Sequence, residues 1–71
     1  MTMFNLQTIA AAGGSVIVDA KDYTSLNLQT IASAGKAKGS NLIINNADSL
    51  TVLNCQAIAN ANPGHVFFNF C

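Results

Sequence analysis

The sequence predicts an α/β fold: a right-handed solenoid of three helix-strand repeats with a three-stranded parallel sheet and uncapped ends. Three observations lead there. One phrase occurs three times, as FNLQTIAAAG from Phe4, LNLQTIASAG from Leu26 and LNCQAIANAN from Leu53. A short β-rich run follows each copy: SVIVD from Ser15, NLIIN from Asn41 and HVFFNF from His65. The unit recurs about every 24 residues, and periods of this size mark stacked repeat architectures. A single domain covers residues 1–71, in repeats of about 2–23, 24–50 and 51–71.

The helices follow from the frame T-x-(F/L)-N-(L/C)-Q-(T/A)-I-A-x-A that the three copies share. Thr2, Thr24 and Thr51 stand as N-caps, with Asn5, Asn27 and Asn54 three residues on, a short-armed relative of the capping box. Apolar residues then recur at helical spacing: Leu6, Ile9, Ala10; Leu28, Ile31, Ala32; Cys55, Ile58, Ala59. Each helix should run about ten residues, with Gly13, Gly35 and Asn62 as left-handed stops and Pro63 reinforcing the third. The runs after them read as strands. A helix between each pair makes successive strands parallel neighbours joined by right-handed crossovers. The second copy carries an insertion, GKAKGS at Gly35 to Ser40. It resembles a phosphate loop only in composition, because a P-loop opens a helix and this segment closes one.

Composition removes several functions. A chain of 71 residues has a small core, and such scaffolds are commonly completed by disulfides, a metal or other chains. The two cysteines, Cys55 and Cys71, and the one histidine, His65, form no ligand motif, so no metal and no cofactor are expected. Association remains. Only 8% of residues are charged and the formal net charge is zero, which removes the self-repulsion that keeps small proteins apart. With no arginine and no basic stripe, nucleic-acid binding is not expected. No run approaches the roughly 20 apolar residues of a membrane span, and no leader precedes the first repeat. The expected locations are a cytoplasmic scaffold or an extracellular appendage exported by a leaderless route.

The layout, with LQTIA and NLIINNADSLTVL, resembles a divergent leucine-rich repeat, whose units combine a strand with a helical return. That resemblance implies protein binding along the strand face. It implies no site residues, and the family's asparagine position is taken here by Lys21 and Ala47, displacing any such ladder to Asn46.

Alternation along the strands sends Val16, Val18, Leu42, Ile44, Val66 and Phe68 toward the helices and Ile17, Ile43 and Phe67 to the opposite face. The second set forms an apolar row, bordered by Ser15, Asn41 and His65 on one side and Asp19, Asn45 and Asn69 on the other. Exposed apolar rows commonly mark interfaces. Stacked asparagines, in the Asn5 and Asp19 series, are expected to bond along ladders. His65 reads as a surface polar residue, Cys55 as a small core hydrophobe and Cys71 as a free thiol or an interchain disulfide. Asp19, Asp22 and Asp48 read as turn residues. No catalytic residue is expected, and the chain does not read as an enzyme.

Solenoids normally end in polar caps, whereas here the first residues already belong to repeat one and the last strand is the most apolar. The expected function is therefore structural: a subunit polymerising with itself, head to tail, into a filament. Its axial interface would use Thr2, Phe4, Val16, Val18, Val66, Phe68 and Phe70, and its lateral interface Ile17, Ile43 and Phe67. The alternative is a small protein-binding module, adaptor or inhibitor-like, holding a protein partner on the open sheet face.

Overall fold

The computed structural model describes all 71 residues. Three helices, α1 (Met3–Ala11), α2 (Ser25–Ala34) and α3 (Val52–Ala61), alternate with three strands, β1 (Val16–Asp19), β2 (Leu42–Asn45) and β3 (Val66–Phe68). The strands form one parallel sheet in the order β1-β2-β3, with Val16 opposite Leu42 opposite Val66 and Val18 opposite Ile44 opposite Phe68. The α/β class and the parallel sheet expected from the sequence are both present.

Each helix starts where its threonine dictates. The hydroxyls of Thr2, Thr24 and Thr51 accept from the backbone N–H of Asn5, Asn27 and Asn54 at 3.2, 3.1 and 3.1 Å, satisfying one of the orphan donors of the first turn. Only this half of the box forms. An asparagine arm is one methylene shorter than the Glu or Gln that normally reaches back to the cap.

Of the three expected left-handed stops, Gly13 is one, at φ 104°, and the other two are not. Gly35 is right-handed at φ −83° and Asn62 lies at φ −152°, ψ 75°, neither helical nor left-handed; the positive-φ residues are Gly13, Gly39, Gly64 and Asn46. Gly35 is small for a different reason: a Cβ there would lie 2.8 Å from that of Ser40. The insertion coils into a 3₁₀ turn at Lys36–Lys38 that ends on Gly39 at φ 68°. Three of its amides are committed within the turn, Lys38 N–H and Ser40 N–H to Gly35 O and Gly39 N–H to Lys36 O.

The core lies between the two layers. Leu42 and Ile44 of β2 meet Leu28, Ile31 and Ala32 of α2, all at most 2% exposed, with Ile58 from α3, Leu6 and Ala10 from α1, and Val16 and Val18 from β1 around them. The outer units are less covered, so the predicted core positions Ile9, Cys55 and Ala59 are not fully buried. Two buried polar residues tie successive units together. Ser40 Oγ donates to Ala10 O at 2.7 Å, and Asn62 Nδ2 donates to Ser40 O at 3.0 Å. Asn62 therefore turns inward to pair and is 1% exposed.

The central strand should dominate stability. Ile44→Ala is expected to cost about 2–5 kcal/mol in denaturant unfolding, whereas Ile17→Ala, on the open face, should cost well under half of that.

Candidate functional site: the open sheet face and its two borders

Pleating divides the strand side chains as the sequence implies. Val16, Val18, Leu42 and Ile44 are buried against the helices, while Ile17 is 67% and Phe67 50% exposed on the other face, with Ile43 between them in register. Val66 and Phe68 point inward but stay half-buried. Phe70 continues past the strand and stacks on Phe68, ring centroids 6.2 Å apart. Thr2 and Phe4 are exposed at the start of α1.

Two polar borders frame the apolar row. At the strand entrances, Asn41 N–H donates to Ser15 Oγ at 3.0 Å, and Asn41 Oδ1 lies 2.9 Å from His65 Nδ1. An amide oxygen only accepts, so this contact is a hydrogen bond in the imidazole form that carries a proton on Nδ1. At the strand exits, Asn69 Nδ2 donates to Asn45 Oδ1 at 3.1 Å, and Asn46 Nδ2 donates to Asp19 Oδ2 at 2.8 Å. Asp19 thus pairs with Asn46 rather than with Asn45, its counterpart in the repeat. The Asn5 series builds no ladder. Strands about 4.8 Å apart let short amides touch, but packed helices stand about 8–10 Å apart.

The remaining polar groups serve the fold. Asp19 Oδ1 accepts from Lys21 N–H at 2.8 Å, and that bond, with the Asn46 amide and the Lys21 charge, holds its carboxyl below the usual 3.8. Burial pushes the Cys55 thiol up from its ordinary value, leaving it a poor nucleophile at neutral pH. Both cysteines are free thiols, and no three ligating side chains gather. Tyr23 Oη donates to Met1 O at 2.7 Å, pinning the first residue to the far end of its own unit. No helix is long and apolar enough to cross a membrane.

The structure adds a row that the sequence reading passed over. Phe4, Leu26 and Leu53 occupy the second position of each helix and are 71%, 70% and 74% exposed. The signal was present: each stands two residues, about 200° of helix rotation, from the inward Leu6, Leu28 or Cys55. Beside Leu26 an open groove lined by Gln7, Gln29, Thr30 and Ser33 carries no charge. Comparison with protein-family models, curated proteins and solved structures found no match to this chain.

The Asp19 bonds have a pH signature. A depressed carboxyl contributes stability above its unfolded pKa and loses it as pH falls through the folded value. Thermal unfolding should therefore separate the native chain from Asp19→Ala at about pH 6, and the separation should shrink as pH falls below the ordinary carboxylate range.

Proposed function

We propose that this chain is a structural subunit, a right-handed β/α solenoid of three leucine-rich-repeat-like units that polymerises head to tail into a filament. Each molecule would add three strands, about 14 Å, along a continuous sheet. The observation that carries this reading is the parity of the two outer strands. Val16 N–H bonds to Asn41 O, so residues 16 and 18 of β1 face β2 while Ile17 faces outward. Leu42 N–H bonds to His65 O and Asn69 N–H to Ile44 O, so residues 65, 67 and 69 face β2 while Val66 and Phe68 point their backbone groups outward. A copy placed with Val16 opposite Val66 and Val18 opposite Phe68 would extend the internal register without a slip. The half-buried Val66 and Phe68 would then be covered as Leu42 and Ile44 are.

Magnitudes favour a reversible seam. Covering on the order of 500 Å² of apolar surface supplies roughly 12 kcal/mol, against association costs of about 4–15 kcal/mol. The internal junctions have bridges from Ser40 and Asn62, whereas the first unit's connection is Ala12-Gly13-Gly14, with no side chain to match them. Within this reading Phe4 borders the seam from outside it, since Leu26, flanked by a helix on each side, is just as exposed. The row of Ile17, Ile43 and Phe67 is the lateral contact between two stacks. Its exposure alone also suits the second reading, a module holding one protein partner on that face.

Proline separates the readings. Ile17→Pro removes an N–H that faces outward, on an edge strand where proline is tolerated, so the chain should fold normally and fail to form fibres by negative-stain microscopy. Ile17→Ala keeps the N–H and should still stack. Phe67→Pro removes a bond to β2 and should instead lower the unfolding midpoint. Fibres from Ile17→Pro equal to those of the native chain, or discrete native monomers at high concentration, would overturn the seam.

The lateral row is tested separately. Ile43→Lys sets an ammonium at its centre, where burial without a partner is costly, and single or thinner fibres are expected. Unchanged fibre width would remove the row from the interface.

A further inference from the structure

The six charged residues are not spread over this molecule. None lies in the helices, whose sequences are MFNLQTIAA, SLNLQTIASA and VLNCQAIANA. Asp19 closes β1, Lys21 and Asp22 follow in the 3₁₀ turn Ala20–Asp22, and Asp48 sits in the turn Ala47–Ser49 after β2. Lys36 and Lys38 lie in the turn that precedes β2. Because the strands are parallel, the first four share the end where strands finish and helices begin, and the two lysines hold the opposite end. Three aspartates and one lysine leave two negative charges at the first end, and two lysines leave two positive charges at the second. All except Asp19 are exposed.

Segregation of this kind offsets the helix dipoles, with acidic groups near helix N-termini and basic groups near C-termini. It also leaves the molecule with equal and opposite ends. A strand of four residues holds them about 13 Å apart, beyond the roughly 8 Å Debye length at physiological salt, so neither end neutralises the other within one chain. Both broad faces are uncharged and expose apolar rows, Ile17 and Phe67 on one and Phe4, Leu26 and Leu53 on the other, so attraction between molecules through charge is available only at the ends.

We propose that the ends dock on each other: the Lys36–Lys38 end of one copy meets the Asp22 and Asp48 end of a second copy, with strands running in the same direction. The occupant is this chain itself, because its two ends are equal in magnitude and opposite in sign. This contact runs along the strands, at right angles to the seam proposed above, and needs no seam to form. Joined with stacking, it would set filaments side by side into ribbons.

Ile17→Pro provides the background, since sedimentation velocity then reports end docking without stacking, and fibres that persist in that background at about 500 mM salt, where end docking is screened, would indict the seam instead. At about 20 mM salt, where the Debye length exceeds about 20 Å, the chain should associate, and at about 500 mM it should not. Lys36→Glu with Lys38→Glu makes both ends acidic, and Asp22→Lys with Asp48→Lys makes both basic. Each double variant alone should need at least about tenfold more protein to associate. All four changes together reverse the ends and should restore association to the native level, with circular dichroism confirming the fold. A native chain whose association ignores salt, double variants that associate like the native chain, or a folded fourfold variant that stays apart would each overturn end docking. If the fourfold variant does not fold, the salt response and the double variants still decide the matter.

Discussion

The register of β2 is the constraint on which the other elements depend. Leu42 and Ile44 have a strand on each side and α2 above them, and neither is more than 2% exposed. Side chains alternate with a period of two, so a slip of one residue would turn both into solvent and bring Ile43 and Asn45 inward. The burial of this pair fixes β1 and β3 by their hydrogen bonds, and through the short connections it fixes the three helices above. The polar borders then act as a second check. Asn41 touching Ser15 and His65, and Asn45 touching Asn69, are contacts that only the aligned register permits.

Much of this was legible in the amino-acid order because the same instruction is written three times. The threonine caps, the inward leucine and isoleucine positions and the alternation of VIV, LII and VFF depend on local periodicity, and the helices and strands lie where those patterns put them. The helix ends were harder to read. Gly35 looks like a conformational stop but is small because Ser40 crowds it, and that closeness exists only after residues five apart have been folded together. Asn62 likewise reads as a left-handed cap until the backbone carbonyl of Ser40, 22 residues away, becomes its partner. Asn46, not Asn45, reaches Asp19 because its own left-handed backbone swings the side chain back across the sheet exit, which no pattern of polar letters encodes.

The candidate site divides along the same line. Ile17, Ile43 and Phe67 could be placed on one face by counting, since strand alternation is purely local. The row of Phe4, Leu26 and Leu53 was available by the same arithmetic, but a helix start invites attention to its cap and hides the residue two places on. Which surfaces meet another molecule is a different kind of property. It depends on the direction of backbone groups at the outer strands and on where the turns gather charge, and both emerge only from topology.

The narrow joint between Gly35 and Ser40 has a consequence for how this chain can change. Its two anchors are fixed, one by the absence of a side chain and the other by a buried hydroxyl bonded to Ala10, yet Lys36, Ala37, Lys38 and Gly39 between them are all exposed and give no side chain to the core. New sequence grafted there, within a loop whose ends stay clamped, would rewrite one rim of the molecule while the layers beneath kept their packing. The second unit, longer than its siblings chiefly at this point, already carries such an edit.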